Sequence, residues 1–448
     1  MIVFGNDGFR SKFGEQYMTL EFLSAFAWCI SEHCQREKTG LPILVGRDTR
    51  LSGRTVETLL VSIFTYTGVD VQAVGVIPTP GLAAILRRDR FAIGVMITAS
   101  PDPAENNGIK LFESSGFKLP QRTERAIEAD ILGVLGSPFG GYGGSIGAYV
   151  IDSRARDHYG EHIRQTIPRE ISTQVLIDCS NGACSEIARD LVKDFETIEC
   201  EYDQPNGANI NRHCGALEPE KLLERVRSRK FDYGIAFDGD GDRAIFVSRT
   251  YGVIETEKLL ILFAKFLASD DRPKTIVTTE ICNMGLEKNC ERLGFTLIQV
   301  EVGDRNVVNR TVSERGLVGA EPTGHYFFST ESTTMDGFLA CAYFLRLLNS
   351  YGVSFEGELG ALSHFNRVTA DLPADENSTD SVERFYQQTA SFLNHRSEKL
   401  VIRRSMWDPV IRIYYDYETE NRSDELNDLL GSSPKKSQSG DRLIQRES

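Results

Sequence analysis

The sequence predicts an α/β fold in which three related α/β domains with mixed sheets precede a smaller α+β domain. Three observations lead to this prediction. At 448 residues the chain is too long for one ordinary domain and suggests roughly three or four. A unit of strand, polar loop, amphipathic helix and second strand recurs three times, and the region after residue 360 follows a different pattern.

The recurring unit predicts the order of the first elements. It occupies residues 43–75, 175–201 and 275–302, with helices predicted over Thr55–Tyr66, Ser185–Lys193 and Gly285–Arg292. Strands that alternate with helices of this length are typical of βαβ units and of parallel or mixed sheets. The repeats of a solenoid follow one another every ~20–50 residues, so the wider spacing here indicates separate domains.

Breaks in composition suggest where the domains end. Residues 136–147 are rich in glycine, and further breaks fall near 249–252 and 352–366. The last part is predicted to contain a helix over Thr379–Leu393 and strands over Leu400–Arg403 and Val410–Tyr417. We therefore expect domains at residues 1–145, 146–249, 250–360 and 361–430. A disordered tail is expected at 431–448, where apolar residues are almost absent.

Composition limits the partners that the protein is expected to have. A net charge of −14 argues against nucleic acid or an anionic membrane, although local arginines can still bind a small anionic substrate. The nine cysteines are scattered, odd in number and without a C-x-x-C pair, which favours reduced thiols in a cytoplasmic protein. No basic segment precedes an apolar run at the N-terminus, and no apolar run approaches ~18 residues, so secretion and membrane spanning are not expected.

The most informative segment is Asp-Gly-Asp-Gly-Asp-Arg at residues 238–243, which we call the acidic loop. It lies between the apolar runs 234–237 and 244–247, which read as strands. A solvated turn is the ordinary alternative, but three like charges between two buried strands argue against it. An EF-hand is also excluded, because Arg243 and Arg249 stand where that loop needs glycine and glutamate. Carboxylate oxygens suit Mg²⁺, so Asp238, Asp240 and Asp242 are predicted to bind this metal.

Ser100 is a second candidate, because it follows the apolar stretch Ile93–Ile97 on a loop that contains two prolines. A serine at the end of a strand can be an exposed reactive group, yet most such serines belong to ordinary turns. The G-x-S-x-G pattern of serine hydrolases is absent here. Taken alone, Ser100 leaves both interpretations open.

The order of the motifs along the chain supplies the missing context. The motifs occupy residues 4–10, 46–53, 98–103, 107–110, 238–243, 319–325 and 403–412. In this order they resemble the α-D-phosphohexomutase superfamily, from one end of the chain to the other. Within it the phosphoglucosamine mutases are most similar, as judged from residues 115–120, 205–211, 302–305 and 403–405. The resemblance implies domains arranged around a central cleft.

The resemblance also implies a mechanism and a set of roles. A Mg²⁺-dependent enzyme of this kind interconverts a hexose 6-phosphate and a hexose 1-phosphate through a phosphoserine and a sugar bisphosphate, which also serves as activator. Ser100 is the implied phosphoserine and, with Asp238, Asp240 and Asp242, the implied metal site. Lys110 is the implied general acid or base, Arg10 is a supporting cation, and His325 is assigned to the catalytic set.

Binding of the sugar phosphate is assigned to further residues. The implied set is Arg243, Arg305, Glu321, Thr323, Arg403, Ser405 and Arg412. Within it, Arg243 clamps the transferring phosphoryl group and Glu321 accepts hydrogen bonds from sugar hydroxyls. Arg403, Ser405 and Arg412 hold the phosphate that does not react, since the planar fork of arginine fits phosphate oxygens. The expected partner is a small hexose phosphate, and the expected state is a monomer or homodimer.

Departures from the superfamily pattern leave a second hypothesis open. Pro101 and Asp102 replace a histidine and an asparagine after the serine, so a donor is lost and a negative charge is added. Met406 and Trp407 replace glycine and threonine in the last motif. The two smaller departures are Asn6 in the first motif and Thr323 after Pro322. We expect a mutase acting on glucosamine phosphate, with mannose or glucose phosphate next, and the alternative is a sugar-phosphate-binding paralogue with impaired catalysis.

Overall fold

The structure is a computed structural model. It describes residues 3–5, 7–136, 144–152, 154–373, 399–404 and 410–417. The predicted helix over Thr379–Leu393, the predicted tail at 431–448 and the individual residues Asn6, Ser405, Met406 and Trp407 lie outside these ranges. We refer to the four sheets, each with its helices, as the first to fourth domains.

The first domain contains a sheet of six strands in the order β1-β5-β4-β2-β3-β6. Its elements are β1 (Phe9–Lys12), a 3₁₀ turn (Gln16–Met18), α1 (Leu20–Arg36), β2 (Ile43–Arg47), α2 (Leu51–Tyr66), β3 (Val71–Val76), α3 (Thr79–Arg88), β4 (Ile93–Ile97), β5 (Asn106–Glu113), α4 (Gln121–Val134) and β6 (Tyr149–Ile151). The sheet is mixed, because β5 runs antiparallel to both of its neighbours while β2 is parallel to β3 and β4. The C-terminal end of β4 carries the loop with Ser100.

The second domain has a mixed sheet of five strands in the order β11-β10-β9-β7-β8. Its elements are α5 (Ala155–Thr166), β7 (Val175–Asp178), α6 (Ser185–Val192), β8 (Ile198–Glu201), α7 (Pro219–Arg229), β9 (Tyr233–Phe237), β10 (Ala244–Ser248) and β11 (Gly252–Ile254). The acidic loop joins β9 to β10, which pair antiparallel with Phe237 opposite Ala244.

The third domain has a mixed sheet of four strands in the order β13-β12-β14-β15. Its elements are α8 (Thr256–Leu267), β12 (Thr275–Thr279), α9 (Met284–Leu293), β13 (Thr296–Val300), α10 (Asp304–Ser313), β14 (Val318–Glu321), β15 (His325–Phe328), α11 (Gly337–Tyr351), a 3₁₀ turn (Gly352–Ser354) and α12 (Phe355–Gly360). The side chain of Asp336 caps α11 by accepting a hydrogen bond from the backbone N–H of Leu339 at 2.8 Å.

The fourth domain, as far as the structure describes it, is an antiparallel sheet in the order β16-β18-β17. Its strands are β16 (Asn366–Pro373), β17 (Lys399–Arg404) and β18 (Val410–Tyr417). Asp416 connects this sheet to the third domain, because its carboxylate accepts hydrogen bonds from Arg367 and from the backbone N–H of Met284. The fourth domain is therefore docked beside α9.

One continuous apolar core joins the second and third domains. Helix α11 supplies much of it, and the ring of Phe338 stacks on that of Phe237 with centroids 4.5 Å apart. Phe237 is the residue immediately before the acidic loop. The apolar packing therefore fixes this loop against the start of α11, where the backbone N–H of Gly337 donates to the carbonyl of Gly241 at 3.1 Å.

The α/β fold with mixed sheets is confirmed, and several strands have the predicted bounds, among them Ile93–Ile97 and Val410–Tyr417. Strand pairing crosses two of the expected boundaries. Strand β6 pairs with β3 of the first sheet, and β11 forms a hairpin with β10 of the second. The expected break at 352–366 contains α12, because Phe355 and Leu359 are buried in the core. No helix within the described ranges is long and apolar enough to cross a bilayer.

Candidate active site

The acidic loop holds three buried carboxylates close together. Asp238, Asp240 and Asp242 are at most 3% exposed, and one oxygen of each lies within 4.8 Å of the others. The loop turns at Gly241, whose φ of +76° favours glycine. The backbone N–H groups of Gly241 and Arg243 donate to Asp238 Oδ1 at 3.1 and 3.2 Å. The backbone thus orients the first carboxylate of the loop.

Ser100 lies directly at this triad. Its hydroxyl donates to Asp238 Oδ2 at 2.8 Å, although the two residues are 138 positions apart in the chain. The backbone N–H of Ser100 donates to Thr98 Oγ1 at 3.1 Å, which fixes the loop after β4. The structure therefore brings the predicted phosphoserine to the predicted metal site.

Lys110 on β5 compensates part of the negative charge. Its ammonium lies 2.9 Å from Asp240 Oδ2, 2.7 Å from Asp242 Oδ2 and 2.8 Å from Asp7 Oδ2. Burial lowers the pKa of Lys110, but the attraction of these three carboxylates outweighs it and raises the pKa well above the usual value. The same lysine holds the pKa of Asp242 well below its ordinary value, against the effect of burial.

The triad fits a divalent cation bound through oxygen. Within the described residues, Asp240 Oδ1 is buried and has no hydrogen-bond partner, whereas Oδ2 accepts bonds from Lys110 and from Thr79 Oγ1. Burial and the neighbouring carboxylates raise the pKa of Asp238 well above its ordinary value. A site that disfavours this many negative charges gains by binding a cation, and hard carboxylate oxygens suit Mg²⁺.

The third domain contributes a loop between β14 and β15. His325 Nδ1 lies 2.9 Å from Glu321 Oε2, and its Nε2 lies 3.2 Å from Asp242 Oδ1. Burial and the charge of Arg243 lower the pKa of His325, but the two carboxylates outweigh them and raise it to about 10. Arg243 Nε also donates to His325 Nε2 at 3.0 Å, so this ring nitrogen lies between the guanidinium and Asp242. Thr323 Oγ1 lies 3.2 Å from His325 Nδ1.

Arg10 and Arg243 border the same cluster. Arg10 Nη1 donates to the backbone carbonyl of Ser100 at 3.2 Å and lies 3.5 Å from Asp102 Oδ1. The other oxygen of Asp102 accepts a bond from Asn106 at 2.9 Å. The negative charge that departs from the superfamily pattern is therefore paired. Arg243 Nε lies 4.0 Å from Asp238 Oδ2.

The remaining predicted residues lie in other contacts. Arg305 gives both terminal nitrogens to the carboxylate of Glu124 on α4, at 2.9 and 2.7 Å. Arg403 on β17 and Arg412 on β18 stand directly opposite each other in the fourth sheet, and Arg412 is buried. Ser405 lies outside the described residues. The structure thus gathers nine other predicted residues around Ser100 and places Arg305, Arg403 and Arg412 elsewhere.

Sequence reasoning missed several residues that contact this cluster. Asp7 and Lys118 belong to motifs of the superfamily, and they form an ion pair that extends from Lys110. Thr79, at the first position of α3, bonds Asp240 through both its hydroxyl and its backbone N–H. The motifs contained a signal for Asp7 and Lys118, but no local pattern marks Thr79.

Comparisons with known proteins agree with this architecture. Models of phosphoglucomutase/phosphomannomutase α/β/α domains I, II and III match residues 1–134, 157–252 and 255–363, respectively. The phosphoglucosamine mutase of Desulforamulus reducens is 31% identical, over 96% of this chain and 99% of the relative. That of Rhodopseudomonas palustris is 34% identical, over 96% and 97%.

Solved structures with low sequence identity share the fold. A phosphoglucomutase/phosphomannomutase family protein from Burkholderia thailandensis superposes with a TM-score of 0.80 at 20% identity, over 96% of each chain. A protein described as a phosphomannomutase from Thermus thermophilus gives 0.76 at 20% identity, over 95% of this chain and 97% of the other.

Proposed function

Because the chain belongs to the phosphoglucomutase/phosphomannomutase family, we propose that it is a phosphohexomutase that interconverts glucosamine 6-phosphate and glucosamine 1-phosphate. One observation carries the proposal: the Ser100 hydroxyl donates to Asp238 within a buried triad that Lys110 faces. The phosphoglucosamine mutases that match nearly the whole chain favour the amino sugar. We also propose a cytoplasmic location, since the nine cysteines are free.

Ser100 Oγ is proposed to carry the phosphoryl group in the resting enzyme. A sugar bisphosphate can supply that group and so act as the activator. Asp238, Asp240 and Asp242 would hold Mg²⁺, which when bound neutralises negative charge on the transferring phosphoryl group. Arg10 holds the Ser100 loop through its bond to the backbone carbonyl, so that the nucleophilic oxygen keeps its position.

Lys110 is proposed to move the proton. As an ammonium it can donate to the serine oxygen when the phosphoryl group leaves for the sugar. Its high pKa comes from Asp240, Asp242 and Asp7, so Lys110 becomes a base only when some of these carboxylate oxygens turn elsewhere. Lys110 alone then balances the protons of the reaction, because it gives a proton to the serine oxygen and takes one from the sugar hydroxyl.

The sugar is proposed to lie against the β14–β15 loop. Burial raises the pKa of Glu321, but its bond to His325 outweighs this and lowers the pKa, so Glu321 stays an acceptor for sugar hydroxyls. The Thr323 hydroxyl can bond the same groups. The Arg243 guanidinium supplies positive charge beside the transferring phosphoryl group, and its bond to His325 Nε2 at 3.0 Å orients it there.

The second phosphate of the intermediate needs its own site. Arg403 and Arg412, with Ser405, are proposed to bind it, and two arginines at opposite positions favour an anionic ligand. The bisphosphate must turn over so that its other phosphate reaches Ser100. Arg305, another predicted binding residue, donates to Glu124 at 2.9 Å.

A substrate panel tests the proposal. Purified protein with Mg²⁺ and a hexose bisphosphate should convert glucosamine 6-phosphate faster than mannose 1-phosphate or glucose 1-phosphate. Intact mass should show a species ~80 Da heavier, which disappears in Ser100→Ala. No turnover on any of the three by folded, phosphorylated protein would refute the mutase proposal. Faster turnover of mannose or glucose phosphate would refute only the choice of glucosamine phosphate as substrate, and the mutase proposal would stand.

A further inference from the structure

Residues 303 and 304 connect the third domain to two different parts of the candidate active site. The backbone N–H of Gly303 donates to Glu321 Oε1 at 2.9 Å, which fixes the carboxylate proposed to bind sugar. The carboxylate of Asp304, which begins α10, accepts a hydrogen bond from Lys118 Nζ of the first domain. Asp304 is 7% exposed, so this contact between domains is buried.

The contact continues to the acidic loop. Lys118 Nζ also bonds Asp7 Oδ1, and Asp7 Oδ2 lies 2.8 Å from Lys110 Nζ. Lys110 in turn pairs with Asp240 and Asp242. Alternating charges therefore run from the triad through Lys110, Asp7 and Lys118 to Asp304, and we call these last four residues the charge ladder. Each step is a direct ion pair between buried or partly buried groups.

A second ion pair between the same two domains lies beside the ladder. Arg305 and Glu124 form a bidentate pair, with Glu124 1% exposed. It joins α10 to α4, as Asp304 joins α10 to Lys118. The two ion pairs are formed by consecutive residues of α10. Only the pair of Asp304 with Lys118 is linked by further ion pairs to Lys110.

We propose that Asp7, Lys118 and Asp304 are positioning residues. They hold the Lys110 ammonium in place and tie its position to the third-domain segment that orients Glu321. The group that moves the proton and the group that binds the sugar are then fixed by one connected set of contacts. The catalytic interpretation rests on the proposed function, whereas the physical coupling does not.

The physical reason is the cost of an unpaired buried charge. If Lys118 loses its ammonium, Asp7 and Asp304 lose the partner that they share. Lys110 is then the one cation of the ladder that still pairs with Asp7. Lys110 is then drawn toward Asp7 and away from the acidic loop. A displacement of about 1 Å at a reacting group can reduce the rate by ~10²-fold.

The experiment compares Lys118→Met and Asp304→Asn with the matched control Glu124→Gln. All three variants weaken a buried contact between the same two domains, but the control removes no ion pair of the ladder. With glucosamine 6-phosphate, we expect the ladder variants to lose ~10–100-fold in kcat with KM changed less than about threefold. Glu124→Gln should keep kcat within about threefold.

Hydrogen exchange on the Mg²⁺-free proteins supplies a measurement independent of activity. Lys118→Met should speed amide exchange in segments 7–12 and 106–113 as well as at the start of α10. Glu124→Gln should speed it at α10 and α4 but not in segment 106–113. This difference is expected even if the wild-type protein proves to have no mutase turnover, which would refute only the proposed function.

Two results would overturn the ladder. One is the same exchange pattern in Lys118→Met and Glu124→Gln, which would make both pairs simple contacts between domains. The other is an active wild-type protein whose ladder variants raise KM without lowering kcat, because that would place Lys118 in substrate binding.

Discussion

The acidic loop and the arginine pair of the fourth sheet both concentrate like charges near hairpin strands, but they are built differently. The acidic loop has cationic and backbone donors around it, among them Lys110 and two N–H groups. Arg403 and Arg412 instead place two guanidinium groups at directly opposite positions of β17 and β18, and Asp371 of β16 stands opposite Arg412 on its other side.

The difference suggests different uses. A buried centre whose negative charge is only partly compensated by the protein gains from a divalent cation, which suits a catalytic metal. Two guanidinium forks at neighbouring positions can bind the oxygens of one phosphate together, which suits substrate phosphate. Four predictions test this comparison.

The largest effect is expected in the stability of Lys110→Met. Without its ammonium the buried carboxylates of Asp240 and Asp242 lose a direct ion-pair partner, so in EDTA the free energy of unfolding should fall by ~3–5 kcal/mol. Saturating Mg²⁺ should recover more stability in this variant than in the wild type, because no ammonium competes for Asp240 and Asp242. Denaturant titrations with and without Mg²⁺ measure both quantities.

Lys258→Met is the matched control for that prediction. Lys258 is a buried lysine whose ammonium bonds the Tyr251 hydroxyl at 2.6 Å, away from the acidic loop. In Lys258→Met, Mg²⁺ should raise the free energy of unfolding by as much as it does in the wild type. An equal Mg²⁺ increment in Lys110→Met and the wild type would show that the metal does not bind at the triad.

The next effect concerns turnover in Asp240→Asn. The variant keeps the shape of the side chain but removes one charge from the proposed metal site, so kcat should fall by ~10²–10³-fold, or about 2.7–4 kcal/mol. Asp232→Asn makes the same change at the partly exposed start of the β9–β10 hairpin, and its kcat should stay within about twofold of the wild-type value. Unchanged Mg²⁺ dependence in an active Asp240→Asn protein would contradict the metal assignment.

The arginine pair is tested by the KM of Arg403→Ala. Loss of a charge-assisted bond to phosphate is worth ~1.5–3 kcal/mol, so KM for both hexose monophosphates should rise roughly 10–150-fold. Lys399→Ala removes another cation from the same strand, one whose ammonium pairs with Glu287 at 2.7 Å. The control should keep KM within about twofold. If both variants leave KM unchanged, phosphate does not dock in the fourth domain.

Much of the fold was predictable because its signals are local. Apolar runs and helical periodicity predicted the strands and helices of the three recurring units within a few residues, as at the helix Ser185–Val192, predicted over Ser185–Lys193. The edges of the sheets were harder, since β6 and β11 are three-residue strands defined by their pairing partners. Helix α12 was missed because the burial of Phe355 and Leu359 depends on the core of other segments.

In the candidate site, too, the local features were predictable and the long-range contacts were not. Motifs predicted the triad, Ser100 and Lys110, because each lies in a short recognisable segment. The contacts that position them join residues more than 100 positions apart, such as Thr79 with Asp240 and Lys118 with Asp304. A single sequence contains no record of such pairs. The binding role of Arg305 stays a prediction, and its bidentate pair with Glu124 is another such distant contact.

The smallest effect concerns a single buried carboxylate that has no ion pair within the described residues. Asp336 caps α11 and accepts a hydrogen bond from the Tyr159 hydroxyl at 2.7 Å, and burial raises its pKa to about 7. The unfolded chain has an ordinary pKa near 3.9. Between about pH 4 and 7 the folded form binds a proton that the unfolded form lacks, so this group destabilises the protein as pH rises.

Asp336→Asn removes this titration while its Oδ1 can still accept both bonds. Relative to the wild type, the variant should therefore become more stable from pH 5 to pH 8. The relative stability should change by about 1–3 kcal/mol between the two pH values, because one pKa unit is worth ~1.4 kcal/mol, and the cost of burying the amide NH₂ is the same at both pH values and cancels. Urea unfolding at the two pH values measures it, with the exposed Asp194→Asn as control. If the stability difference between the variant and the wild type is the same at both pH values, Asp336 stays ionised. Burial would then be insufficient to protonate a carboxylate that, unlike the triad, has no ion-pair partner among the described residues.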